Sequence, residues 1–329
     1  MDQGKKVVVV TGASAGLGRA IVREFAKEGA DVALIARGID GLEGAKKEVE
    51  ACGGRALICQ LDVADAEAIE KAADEIEATL GPIDVWVNNA MNSVFSPIKE
   101  MKAEEYKRVT EVTYLGQVYG AMSALKRMQP RNRGSIIFVG SALAYRGIPL
   151  QSAYCASKHA IHGFYDSLRT ELLHDKSEIK TCMVQLPAMN TTQFGFVKSR
   201  LPRKPRPMGT IYEPEVAARG IVYASKHNHR EYYIGWPTVE AIVGNKLAPT
   251  VVDYVLAKTG FDGQMTSEPE SPDRQDNLWE PIPGDHGAHG PFENQSWSMS
   301  PEFWAAKNKL PLAALSLAVI AGIFLTIRK

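Results

Sequence analysis

The chain has 329 residues, 38 basic against 38 acidic side chains, 45% hydrophobic residues and four cysteines. That length suits one large α/β domain with an appendage, or two modest domains. Zero formal net charge argues against a general nucleic-acid binder, and the ordinary hydrophobic fraction excludes a polytopic membrane protein or a disordered chain.

From Lys6 to about Gly260, apolar strand-like runs alternate with helical patterns. Strands are expected at Val7–Thr11, Val32–Ala36, Ala56–Leu61, Val85–Asn88, Ser135–Gly140, Thr181–Leu186 and Tyr232–Gly235. Helices are expected at Leu17–Lys27, Leu42–Cys52, Ala66–Leu80, Tyr106–Met128 and Ala153–Leu173. Strands roughly 25 residues apart, interleaved with helices, imply βαβ units and a parallel sheet covered on both faces. With right-handed crossovers the fold class is α/β, a doubly wound Rossmann-type sheet in one domain over 1–260. Met1–Lys6 leads directly into the first strand with no signal-peptide run. Cys52, Cys59, Cys155 and Cys182 lack a CxxC or metal-ligand rhythm and read as reduced thiols of a cytosol-like compartment. No metal site is indicated.

Two further regions follow. Residues 261–309 are acidic and proline-rich; Phe261 to Glu302 carries nine acidic residues against Arg274 alone. That composition predicts a mostly unstructured linker, although Trp279, Phe292 and Trp297 suggest that parts of it dock on the body. Residues 310–327, Leu310 to Ile327, are 18 consecutive uncharged, mainly apolar residues. As a helix they would extend about 27 Å, close to the hydrocarbon thickness of a bilayer. Lys307, Lys309, Arg328 and Lys329 flank the run, and Trp304 suits an interfacial belt. The expectation is a single C-terminal membrane span, with the body on the cytoplasmic side where it was made.

The run Val7–Val10 ends in Thr11-Gly12-Ala13-Ser14-Ala15-Gly16-Leu17-Gly18. The glycines allow a tight turn and close backbone approach, and the free N–H groups at the helix start from Leu17 would face a pyrophosphate. Further along come Asp62-Val63, Asn88-Asn89-Ala90, Ser141 and Tyr154-Cys155-Ala156-Ser157-Lys158. Taken in this order, the TGxxxGxG turn and the YxxxK pair resemble the short-chain dehydrogenase/reductase superfamily. The resemblance runs from about Val7 to Pro187, more loosely to Gly260. It implies an oxidoreductase that interconverts an alcohol and a carbonyl with a nicotinamide dinucleotide, bound by Gly12, Ser14, Gly16, Leu17, Gly18, Asn89 and Ala90. By the same analogy Asp62 accepts from the adenine amino group and Val63 packs on its ring. After the second strand stands Arg37, where an acid would favour NAD(H). A guanidinium there can pair with a 2′-phosphate, with Ser14 as a second donor, so NADP(H) is favoured over NAD(H). A solvated surface arginine is the alternative.

Tyr154 and Lys158 are one helical turn apart, and an ammonium near the phenol is expected to lower the tyrosine pKa toward working pH. Ser141, 13 residues earlier at a strand end, would hold the substrate oxygen beside Tyr154. The resemblance also gives Lys158 the nicotinamide ribose. Two departures from the family pattern stand out. Thr113 occupies the position of a helix asparagine that completes a proton relay, and Met91 replaces a glycine after Asn88-Asn89-Ala90. The segment Leu186-Pro187-Ala188-Met189-Asn190-Thr191-Thr192 resembles the family's PGxxxT stretch. There Pro187 adjoins the cofactor, and Thr191 or Thr192 would bond the nicotinamide carboxamide. Lys198, Arg200, Arg203, Lys204 and Arg206 in the next loop read as contacts to anionic lipid headgroups, as a solvated basic loop, or as partners of the acidic linker. Cys155, His159 and His162 read as packing or solvation.

The span suggests a lipophilic carbonyl or alcohol substrate. A catalytically weak nucleotide-binding scaffold or redox sensor, and a reductase of soluble carbonyls, remain as alternatives. Nothing in the chain decides the oligomeric state, and a homo-oligomer is left open.

Overall fold

The sheet is built from runs whose two sets of alternate residues are both apolar. In β1 (Val7–Thr11) all five residues are buried, Val8 and Val10 in one core and Val7 and Val9 in the other. Strand β2 (Asp31–Ala36) repeats this, with Val32 and Leu34 on one side and Ala33 and Ile35 on the other. Burial on both faces is what a parallel sheet between two helical layers demands. The computed structural model describes residues 5–308. Strands β3 (Ala56–Gln60), β4 (Ile83–Asn88), β5 (Ser135–Val139), β6 (Lys180–Gln185) and β7 (Glu231–Tyr233) complete a seven-stranded sheet in the order β7-β6-β5-β4-β1-β2-β3. Every neighbouring pair is parallel. The expected strands all form, with ends shifted by a residue or two.

One face carries α1 (Gly16–Lys27), α2 (Ile39–Ala51) and α7 (Pro214–Lys226), around Ile21, Phe25, Leu42, Val49, Ala217 and Ile221. The other carries α3 (Ala66–Thr79), α5 (Gly116–Met128) and α6 (Ser152–His174), around Ile69, Ile76, Trp86, Ala124, Ile161 and Tyr165. The expected helix Tyr106–Met128 is interrupted. Helix α4 (Ala103–Thr110) passes through one π-helical turn, Glu111–Leu115, before α5 begins. Helices α8 (Trp236–Leu247) and α9 (Pro249–Thr259) bury little and have weak periodicity, so no local pattern announces them. The strand order reverses between β1 and β4, and the connections leaving their carboxyl ends run to opposite faces, which opens a crevice there, the usual place for a ligand in an open α/β sheet.

The expectation of a mostly unstructured linker is corrected. Residues 261–308 lie on the body as a strap. Met265–Pro269 pairs antiparallel with Arg203–Pro205, and Ser296–Trp297 adds to Ile211–Tyr212. Leu278 is fully buried against Val94, Val109 and Ala153, and Phe292 packs edge-on to Phe194. Trp279 and Trp297 stay about half exposed. Helix α10 (Pro301–Lys307) is capped by Ser300 and inserts Phe303 between Tyr223 and Tyr232. Composition misled because the opposing charge lies elsewhere in the chain. Lys198 meets Asp276 at 3.1 Å, Arg203 pairs with Asp262, and Lys204 meets Glu268 at 2.7 Å. Arg200 meets buried Glu105 at 2.6 Å, and Arg206 donates to Gln295. Much of the basic loop's charge is therefore matched by acids of the strap and by Glu105, in line with its reading as a partner of the acidic linker. The apolar run 310–327 lies outside the described residues. Among the described residues no helix is long and apolar enough to cross a membrane.

Candidate active site

The glycine turn closes against the end of β4. Gly12 has φ +70° and Gly16 φ +57°, backbone that side-chain-bearing residues rarely adopt. A Cβ added at Gly18 would sit 1.9 Å from the Gly12 carbonyl oxygen, so α1 can start only where it does because that side chain is missing. The Thr11 hydroxyl accepts from the Asn89 and Ala90 amides at 2.9 and 3.0 Å, and the Asn89 side chain donates to the Thr11 carbonyl at 2.9 Å. These bonds join the ends of β1 and β4 into one rim. Helix α1 has no side-chain cap and no acid in its first turn, which leaves its positive end to an anion. Val63 packs on Gly116, whose added Cβ would lie 2.7 Å from it.

At the next strand end, Ser141 follows β5. Its amide donates to the Gln185 side-chain oxygen at 2.8 Å, and its hydroxyl accepts from the Leu143 amide at 3.1 Å. Gln185, fully buried on β6, thus holds Ser141 in place. Sequence reading missed it, since a lone glutamine carries no motif. Tyr154, in the first turn of α6, comes close enough to Ser141 for the serine to lower its pKa. Lys158 is 2% exposed, donates to the Val139 carbonyl at 2.7 Å, and lies 5.5 Å from the Tyr154 ring centre. The three side chains of the expected constellation are brought together.

Their electrostatics correct one expectation. Burial raises the Tyr154 pKa, and Ser141 offsets this only in part. Burial also pulls Lys158 down to about 7. Desolvation outweighs the ammonium–phenol attraction here, so Tyr154 holds its proton and stands ready to give it. Cys155 is likewise raised by burial and is no nucleophile. His159 bonds the Cys155 carbonyl. His162 does more than pack: its Nε2 lies 2.8 Å from the Tyr145 hydroxyl and 3.1 Å from Glu231.

Thr113 sits fully buried in the π turn, a feature common at functional sites. Its hydroxyl accepts from the Asn92 amide at 2.9 Å and donates to the Asn92 carbonyl at 2.8 Å, pinning the loop that holds Met91. Its side chain is thereby committed to structure. Thr191 lies against the turn, with its Cβ 3.3 Å from where a Gly16 Cβ would be, and Pro187 packs on Gly235.

The strap crosses this rim. Arg37 donates to the Asn277 carbonyl at 2.6 Å and to the Trp279 carbonyl, so it is neither solvated nor free. Asp62 is paired with Arg108, which also donates to the Leu278 carbonyl at 3.1 Å. The Gly16 amide donates to the Gly287 carbonyl at 2.8 Å, and Thr191 bridges to His289. Glu213, Glu215 and His289 come within 4.8 Å of one another, with the imidazole 2.9 Å from Glu215. A cavity of about 690 Å³ beside α4, lined by Met101, Tyr106, Thr110 and Leu115, includes none of the constellation. The glycine cradle, the uncapped helix end and the buried Lys158 fit a nicotinamide dinucleotide.

A family profile described as short chain dehydrogenase matches residues 6–200. An uncharacterized oxidoreductase of Bacillus subtilis is 30% identical over 97% of this chain and 88% of its own. A fatty acyl-CoA reductase of Acinetobacter baylyi is 33% identical over 67% of this chain and 72% of its own. A 3-dehydrosphinganine reductase of Danio rerio is 36% identical over 50% of this chain and 51% of its own. Among solved structures, an alcohol dehydrogenase from the archaeon Thermococcus sibiricus, complexed with 5-hydroxy-NADP, superposes with a TM-score of 0.59 at 28% identity. It covers 70% of this chain and 95% of that one.

The Lys158 shift makes a signed prediction. Its folded pKa of about 7 lies below the ordinary 10.5, so between these values the unfolded chain binds more protons and stability rises with pH. Urea unfolding of Lys158→Met and wild type should differ most below pH 7, to the variant's relative advantage. The difference should shift by a few kcal/mol against the variant as pH approaches 10, on the order set by the pKa displacement. A pH-independent difference contradicts a desolvated amine.

Proposed function

The chain belongs to the short-chain dehydrogenase/reductase family and is an NAD(P)-dependent oxidoreductase. From that premise we propose that it interconverts an alcohol and the corresponding ketone or aldehyde, with NADP(H) preferred. The observation that carries this reading is the convergence of Ser141 and Tyr154, with Lys158 buried 5.5 Å from the tyrosine ring centre. The nicotinamide, when bound, supplies or takes the hydride. Ser141 orients the substrate oxygen, and Tyr154 gives its hydroxyl proton to that oxygen in reduction or accepts it in oxidation. Lys158 sets the charge below the ring. In reduction, then, the carbonyl carbon gains a hydride and its oxygen the tyrosine proton, which solvent restores.

Arg37 supports NADP(H), because no acid follows β2 to repel a 2′-phosphate. A lipophilic substrate is supported by the relatives named fatty acyl-CoA reductase and 3-dehydrosphinganine reductase, and by the apolar run 310–327. That run we read as a membrane anchor, with the catalytic body on the cytoplasmic side. Exposed Trp236, Leu247, Val251 and Tyr254 on α8 and α9 suit a body resting near a bilayer. Gly235, which opens α8, donates to the Ser300 hydroxyl that caps α10, so these two helices start side by side.

Tyr154→Phe should lower turnover by about 10²–10⁴-fold while dinucleotide binding persists, as expected for loss of a general acid. Full turnover in that variant refutes the assignment. Titrations should show tighter binding of NADPH than of NADH, and Arg37→Ala should erase most of the preference; equal affinities in wild type overturn it. In vesicle flotation the full chain should rise with lipid and a chain lacking residues 310–327 should not. Equal partition of the two would remove the anchor.

A further inference from the structure

The strap's path is the least expected feature of the molecule. From Asn277 to Gly290 it follows the rim of the crevice and bonds, one after another, groups that the sequence assigns to a dinucleotide. Both terminal nitrogens of Arg37, the 2′-phosphate donors, point at strap carbonyls of Trp279 and Asn277. The Gly16 amide, at the anion-binding end of α1, donates to the Gly287 carbonyl at 2.8 Å. Asp62, the adenine acceptor, is tied to Arg108, which the Leu278 carbonyl also holds, with the Trp279 ring 5.8 Å from that guanidinium.

Side-chain anchors keep the strap there. Leu278 is fully buried, and its carbonyl also accepts from the Asn92 side chain at 3.0 Å. The Gly284 amide donates to Asp40 at 2.7 Å. Arg19, only 2% exposed, grips both Asp285 oxygens at 2.9 and 3.2 Å. His289 meets Glu215, and the Gly290 amide donates to the Asn190 carbonyl. Of these, the Arg19–Asp285 pair sets a buried guanidinium against a carboxylate, and charge-assisted bonds are the strong ones. Yet the strap's carbonyls are neutral acceptors standing where phosphate oxygens would go. A phosphate, being charged, competes well for the same donors.

We propose that residues 277–290 form an autoinhibitory strap that competes with the nicotinamide dinucleotide for Arg37 and the start of α1, and that withdraws when the dinucleotide binds. The proposal rests on the reading that this crevice takes a nicotinamide dinucleotide. Apparent affinity is then reduced by the fraction of molecules whose strap is closed, and loosening the strap raises it. Asp285 is the lever of choice. It lies outside the proposed catalytic and cofactor-binding groups, and its removal leaves Arg19 still paired with Glu48 at 2.8 Å.

The full-length protein and its Asp285→Ala variant are titrated with NADPH by fluorescence, and amide hydrogen exchange of peptides covering 277–290 is followed with and without NADPH. The expected result is a Kd about three- to tenfold lower in the variant. In wild type, exchange across 277–290 should speed up when NADPH binds. Weaker binding in the variant, or slower exchange of the strap on binding, would make the segment a clamp over the dinucleotide and overturn the proposal. Equal affinities with unchanged exchange would also overturn it while leaving the functional reading intact. Failure of both proteins to bind NADPH or NADH would remove that reading and the strap proposal together. A Leu278→Ser variant, loosened at a separate anchor, should repeat the gain in affinity.

Discussion

The missing side chain at Gly18 is the constraint on which the site depends. With a Cβ 1.9 Å from the Gly12 carbonyl oxygen, either the turn after β1 or the start of α1 would have to move. Moving either would break the Thr11–Asn89 clamp that joins the ends of β1 and β4. That clamp sets the rim from which Asp62, Ala90 and the α1 amides are presented, and α1 in turn packs against α7 across one face of the sheet. A single close approach of backbone to backbone thus fixes the crevice where the strand order reverses.

The reacting side chains follow a different logic. Ser141 is held by Gln185 and Lys158 by the Val139 carbonyl, so both depend on β5 or β6 rather than on the glycine turn. Burial that keeps the tyrosine protonated also brings the titration of the lysine down to about 7. Proton transfer is then a property of three side chains held by β5, β6 and α6.

Much of this is legible in the chain before any coordinates. Val7–Val10 and the two-sided strands announce a buried parallel sheet, and Ser141, Tyr154 and Lys158 fall where their spacing puts them. Three things escape. The sign of the tyrosine shift depends on burial, which spacing does not encode. Gln185, Asn92 and Arg108 act through backbone groups distant in sequence, so no local pattern marks them. The acidic stretch looks unstructured because its partners Lys198, Arg203, Lys204 and Arg19 lie about 60 to 270 residues away, and composition counts charge without pairing it. The zero net charge was in part this pairing, folded onto one surface.

The most direct measurement is isotope transfer. With nicotinamide dinucleotide carrying deuterium at the transferable position of C4, and a panel of long-chain and soluble ketones and aldehydes, the account predicts deuterium at the carbinol carbon of the alcohol formed. It predicts no such label in the same reaction run with Tyr154→Phe over a matched time. Binding of the dinucleotide with no transfer to any carbonyl on the panel would contradict it, and would leave a nucleotide-binding scaffold in place of an enzyme.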